Sequence, residues 1–116
     1  MSTKSETESL IHSLKSQIET AREKGDHQCV IDAAKQVLEV ASRHPGLRIA
    51  EFIFLRKIAK AYAKIGDDKN SLLYFKKSLD AAKNLENKGA VDIAKEIVAL
   101  EHRIKHLEDN LGEDLG

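Results

Sequence analysis

Leu55-Arg56-Lys57-Ile58-Ala59-Lys60-Ala61-Tyr62-Ala63-Lys64-Ile65-Gly66-Asp67-Asp68-Lys69-Asn70-Ser71-Leu72-Leu73-Tyr74-Phe75-Lys76-Lys77-Ser78 is the stretch that decides the fold. Leu55, Ile58, Ala59, Tyr62 and Ile65 fall at i, i+3, i+4, i+7 and i+10, one stripe of a helix. Leu72, Phe75 and Leu79 form a second stripe beyond the break at Gly66-Asp67. Gly66 can take a positive φ and end the first helix, and Asp67 or Asp68 can cap the second. Ala59, Ser71 and Ser78 are small residues at positions where two helix backbones must approach closely. The stretch predicts a helical hairpin, with Tyr62 and Phe75 buried between its two helices.

The order of these residues resembles the tetratricopeptide repeat, a helical hairpin that stacks into arrays. Its large residue, Leu-small pair, Tyr, turn Gly, small residue, aromatic and second small residue correspond to Leu55, Ile58-Ala59, Tyr62, Gly66, Ser71, Phe75 and Ser78. The family's Trp is Leu55 here, its Gly is Ala59, and its late Pro falls on Lys83. Gly25-Asp26 and Gly66-Asp67 lie 41 residues apart, longer than the usual repeat and similar to its long-repeat variant. Aligning the two turns sets Leu14 opposite Leu55, Val30 opposite Ser71, Ala34 opposite Phe75 and Leu38 opposite Leu79. Ile18 stands opposite Ala59 and Ala21 opposite Tyr62, so bulk and gap trade places in the first copy.

Composition agrees with an all-α protein. The chain has 116 residues, one Pro, no Trp and 4% aromatic residues, which favours a fold packed with Leu, Ile, Val and Ala. That length suits one domain. No apolar run approaches the ~20 residues that span a bilayer, and the first residues are polar rather than signal-like. The single cysteine, Cys29, cannot form an internal disulfide, which suits a reducing, cytoplasmic compartment. It has no neighbouring base and reads as a packing residue rather than a nucleophile.

Helix one is expected over about 5–24, with Leu10, Leu14, Ile18 and Ala21 as its stripe and Ser5 with Glu8 as a capping box. Helix two runs from His27 to about Arg43, before the stop at His44-Pro45-Gly46. Helices three and four are expected over about 47–65 and 68–85, and Asn87-Lys88-Gly89 is the next break. Helix five covers about 90–111 and ends at Gly112. Its Ile93, Ile97, Leu100, Ile104, Leu107 and Leu111 follow the 4-3-4-3-4 spacing of a heptad seam. Glu101 falls where a further leading helix would need a small residue, so helix five reads as a cap. The expected organisation is one tetratricopeptide-like domain over 1–112, with repeats at about 5–43 and 47–85, a capping helix at about 90–111 and a short acidic tail at 113–116.

Charge is uneven along the neutral chain. Residues 1–42 carry a net −2, residues 43–88 a net +6 and residues 89–116 a net −4. Arg56, Lys60 and Lys64 recur one helical turn apart, with Lys57 beside them. In tetratricopeptide arrays the leading helices line a concave groove that receives peptides. By that resemblance Arg56 and Lys60 face the groove, and Lys15 and Arg22 occupy matching places on helix one, with Glu19 between them. The carboxylate-clamp subclass needs Asn where this chain has Glu19 and Lys60.

His102 and His106 share a helix face at i, i+4, a spacing that can bind zinc, with Glu101, Glu108 and Asp109 nearby, but no Cys and no HExxH order accompany them, and a solvated face is the plainer reading. No phosphate-binding Gly loop or nucleophile motif is present. The sequence therefore suggests a non-enzymatic adaptor without cofactor or metal, binding an acidic peptide or helix of another protein through Lys15, Arg22, Arg56, Lys57, Lys60 and Lys64. The alternatives are self-association through the heptad of helix five, and nucleic-acid binding by the basic block. No aromatic stacking platform favours the latter.

Overall fold

The computed structural model describes residues 4–44, 48–87, 89 and 92–115. They form five helices: α1 (Lys4–Lys24), α2 (His27–Ser42), α3 (Arg48–Lys64), α4 (Asp68–Asn87) and α5 (Ile93–Leu115). No strand occurs among the described residues. The Pro45-Gly46 stop and the side chain of Ser5 in the expected capping box lie outside them.

Both hairpin turns are built the same way. Gly25 has φ +75° and Gly66 φ +82°, the left-handed conformation that costs glycine least. Asp26 N–H donates to Ala21 O at 2.8 Å while Gly25 N–H donates to Arg22 O at 3.1 Å. Forty-one residues later Asp67 N–H donates to Tyr62 O at 2.9 Å and Gly66 N–H to Ala63 O at 3.1 Å. This is the Schellman pairing, which satisfies the last carbonyls of a helix. The same aspartates then cap the next helix: Asp26 Oδ1 accepts from Cys29 N–H and Asp67 Oδ1 from Asn70 N–H, each at 3.1 Å. Of the two candidate caps for α4, Asp67 is the one used. Its hydrogen bonds with Asn70 hold its carboxyl below the usual range.

Helix backbones touch only their neighbours in the chain, α1 on α2, α2 on α3, α3 on α4 and α4 on α5. The molecule measures 54 × 36 × 20 Å. A thickness of 20 Å corresponds to two layers of helices about 10 Å across.

α3 is buried on two sides. Towards α1 and α2, its Phe54, Ile58 and Ala61 join Leu14, Ile18, Val30, Ile31 and Val37. Towards α4 and α5, its Phe52 and Ala59 join Phe75, Ala82, Ile97, Leu100 and Ile104. The small residues sit at the close approach, as expected. Ser71 Oγ donates to Ala59 O at 2.8 Å and Ser78 Oγ to Phe52 O at 3.2 Å, and both serines are wholly buried. Moving up α4 by seven residues moves down α3 by seven, so the pair is antiparallel.

The expected seam of α5 is buried from Ile93 to Leu107, and Leu111 is half-buried. Its partners lie within the chain, so α5 covers the end of the stack.

Five details differ from the sequence reading. α5 passes through Gly112 to Leu115, so most of the acidic segment 113–116 extends the helix. Gly112 has no positive φ and no capping aspartate after it, and one helical glycine costs only about 1 kcal/mol. Ile65 lies beyond the end of α3 and is 47% exposed. Leu10 is also 47% exposed, because the buried face of α1 runs through Thr7, Ile11, Leu14 and Ile18 instead. Thr7 Oγ1 hydrogen-bonds His44 Nε2 at 3.3 Å, tying the start of α1 to the end of α2. Tyr62 is half-buried rather than sealed in the hairpin; it stacks on Tyr74 with ring centroids 5.6 Å apart. Phe75 is fully packed, but in the cluster that α5 completes.

Phe75→Ala should therefore cost about 3–5 kcal/mol, measured by urea denaturation. Ser71→Ala, which removes one hydrogen bond and leaves no crowding, should cost only about 0.5–1.5 kcal/mol. Ser71→Leu should cost more than Ser71→Ala, because its bulk must separate α3 from α4. Equal midpoints for the two Ser71 variants would refute the close-approach role.

Candidate functional site

The backbones of α1, α3 and α5 do not touch one another. Two troughs run between them on one face. The larger, about 500 Å³, lies between α3 and α5. Ala63, Phe75, Ala99 and Leu100 form its apolar lining. The smaller, about 250 Å³, lies between α1 and α3 and is lined in part by Ile18, Val30 and Ala61. Arg56, Lys60 and Lys64 line both, as a ridge one helical turn apart. Arg22 and Lys57 line the smaller trough. Of the six basic residues suggested by the sequence, Lys15 lines neither.

These cations are not equivalent. Arg56 Nη1 donates to Glu96 Oε2 of α5 at 2.6 Å, and its guanidinium lies 5.1 Å from the centroid of the Phe52 ring. Arg22 is paired with Glu19 at 2.6 Å on the solvent side of α1. Such an exposed i, i+3 pair contributes only about 0–1 kcal/mol and leaves Arg22 free to exchange partners. Lys57, Lys60 and Lys64 form no ion pair among the described residues. Partial desolvation, then the positive fields of Arg56 and Lys57, push the Lys60 ammonium below its ordinary value, with Glu96 opposing. A lysine in that state gains from an incoming anion.

α5 contributes two residues that the sequence reading missed, Glu96 and Arg103. Arg103 lies over Phe75, 5.5 Å from the ring centroid. A signal for them existed. With Ile97, Leu100 and Ile104 buried, Glu96, Ala99 and Arg103 fall together on the flank of that seam at i, i+3 and i+7. Placing that flank beside α3 required knowing how α5 docks.

Other candidates remain apart from this face. Lys35 Nζ donates to Tyr62 Oη at 3.1 Å and lies 5.6 Å from the centroids of both Tyr62 and Tyr74. Those contacts raise its pKa and fasten α2 to the α3–α4 pair. Cys29 is half-buried at the start of α2. His102 and His106 are exposed on α5, and His106 approaches Asn110 at 3.4 Å. Among the described residues no group of three His, Cys, Asp or Glu side chains converges as metal ligands would. No helix among the described residues is long and apolar enough to cross a membrane.

Compared with protein-family models, with curated proteins and with solved structures, the chain matches none.

The lowered pKa of Lys60 sets a pH dependence with a definite sign. Between the lowered folded value and the ordinary 10.5, the unfolded chain binds more proton than the folded one, so this lysine's contribution to stability rises with pH. Below that window charged Lys60 opposes folding. Lys60→Gln should be neutral or stabilising at pH 7 relative to the wild type, and the gap should shrink as pH approaches 10.5. Thermal melts of both proteins across pH 7–10.5 check this; a gap that widens with pH would reject it.

Proposed function

We propose that this chain is a non-enzymatic adaptor that holds an acidic peptide or helix of another protein on the face shared by α1, α3 and α5. The observation that carries this reading is the Arg56-Lys60-Lys64 ridge, which borders two troughs of largely apolar lining at once. Apolar contact would supply most of the affinity, and the ridge would supply orientation and selectivity for carboxylates. The twin Gly-Asp turns and the serial packing of α1 to α5 support a tetratricopeptide-like array of the long-repeat kind, in which odd-numbered helices line the binding face. The lone cysteine and the absence of any membrane-spanning helix among the described residues are compatible with a cytoplasmic adaptor.

The self-association reading has less behind it. The α5 seam it would use is already covered by α3 and α4 of the same chain. A nucleic-acid reading lacks a stacking platform at the cations, since Phe75 is 2% exposed under Arg103.

Charge reversal tests the proposal. Arg56→Glu with Lys60→Glu should abolish capture of partners from a cell extract while leaving the helical circular dichroism unchanged. Lys15→Glu should have little effect, because Lys15 lies outside both troughs. Capture by the wild type should fall as salt rises from 50 to 300 mM. Undiminished capture by the double variant would refute the role of this face.

A further inference from the structure

The chemistry of the α3–α5 trough restricts the form of its occupant, granted that this face is a docking surface. Its rim carries four cations, Arg56, Lys60, Lys64 and Arg103, and one carboxylate, Glu96. Lysine and arginine offer hydrogen-bond donors and no acceptor. Glu96, the one charged acceptor, already accepts from Arg56 through its Oε2 at 2.6 Å. The lining of Ala63, Phe75, Ala99 and Leu100 has no polar side-chain atom, and the α-helical walls spend their own N–H and C=O groups internally.

An extended peptide laid in this trough would bring a row of backbone N–H groups to walls that offer few acceptors, one carboxylate already bonded to Arg56 and carbonyls already bonded along their own helices. Burying them unpaired is unfavourable. A helix arrives with those groups satisfied. The walls also suit one. Ala63 on α3 and Ala99 on α5 are small, so a third helix can settle between them towards Phe75 and Leu100. The ridge from Arg56 to Lys64 spans eight residues, roughly 12 Å or about two helical turns. Carboxylates one turn apart on the incoming helix would match it. Glu96 already shows the pairing in miniature, a helix-borne carboxylate held by Arg56.

We propose that the α3–α5 trough receives an acidic amphipathic helix of a partner protein. Its aliphatic stripe rests on Ala63 and Ala99, above the buried Phe75 and Leu100, and its glutamates or aspartates at i, i+4 and i+8 meet Lys60, Lys64 and Arg103. The outermost of them competes with Glu96 for Arg56.

Two synthetic peptides of identical sequence test this. Each has 16 residues, leucines at helical i, i+3, i+4 and i+7 spacing and glutamates at i, i+4 and i+8. One is all-L. The other carries D-residues at two central positions, which keeps composition and charge but breaks the helix. Fluorescence anisotropy with the full chain should show the all-L peptide binding at least about tenfold more tightly, with a gain of helical circular dichroism on mixing. Ala99→Trp should weaken the all-L peptide about tenfold or more; position 99 is exposed, so the fold should survive. Glu96→Gln should strengthen binding by freeing Arg56. Equal affinity of the two peptides, still sensitive to Arg56→Glu with Lys60→Glu, would overturn the helix and keep the docking face. Binding untouched by Ala99→Trp but lost with Lys57→Glu would move the occupant to the α1–α3 trough and also overturn it. Binding of neither peptide overturns the helix as well, and the charge-reversal experiment above then judges the face separately.

Discussion

The close contact of α3 with α4 is the constraint on which the rest depends. Two wholly buried serines donate to α3 carbonyls, Ser71 to Ala59 and Ser78 to Phe52. Those carbonyls sit within a helix, so each serine adds a second bond to an acceptor with a lone pair to spare. The net contribution of each bond is modest, about 0.5–1.5 kcal/mol. Their larger consequence is geometric. A serine can stand this near another backbone only because it is small and its one polar group finds a partner there. With α3 and α4 fixed at short range, Phe75 and Ala82 are presented to α5 and Phe54 and Ile58 to α2. The two clusters on either side of α3 follow from that placement.

The turns propagate the arrangement. In each, a left-handed glycine ends one helix and the next residue, an aspartate, both closes the preceding helix and caps the following one. One dipeptide thus fixes the exit and the entry together. Gly25-Asp26 and Gly66-Asp67 share these bonds, so both hairpins reverse at the same kind of turn. Burial follows the same offset. Leu14 and Leu55, Ile18 and Ala59, Val30 and Ser71, and Ala34 and Phe75 are buried at both members of each pair. A large residue therefore stands opposite a small one at two of these pairs, Ile18 opposite Ala59 and Phe75 opposite Ala34, all four buried.

This regularity explains what could be read from the chain alone. Turns and stripes are local, so the five helices, the two glycine stops, the small-residue contact and the burial of the α5 seam were all legible. Exceptions arose where tertiary contact decided. Leu10 fits the period of α1 as well as Ile11 does, but only Ile11 packs against the buried cluster. Tyr62 has the spacing of a core residue, yet its hydroxyl reaches Lys35 at the surface. Gly112 resembles the earlier stops in isolation but lacks the aspartate that completes them. At the candidate face, the ridge of Arg56, Lys60 and Lys64 was visible as a one-turn spacing on a helix. Glu96 and Arg103 were not, because their nearness to α3 spans some 40 residues of chain and depends on how α5 settles.

The charge pattern gains a physical meaning from this packing. The sequence divides into acidic, basic and acidic thirds, and the fold brings parts of the last two together. Glu96 meets Arg56 at 2.6 Å, and Glu108 meets Lys76 at 3.3 Å. Both pairs join α5 to the body of the stack, and both are partly exposed, so each adds little to stability. Their effect on the surface is larger. Glu108 covers a cation on α4, away from the trough, while Glu96 answers only one of the four cations around Phe75 and Leu100. The remaining positive charge borders an apolar lining, and Lys60 there is partly desolvated, a condition under which a carboxylate is held more strongly than on open surface. Pairing by α5 therefore leaves a localised excess, on one face and at one spacing, in a chain whose net charge is zero.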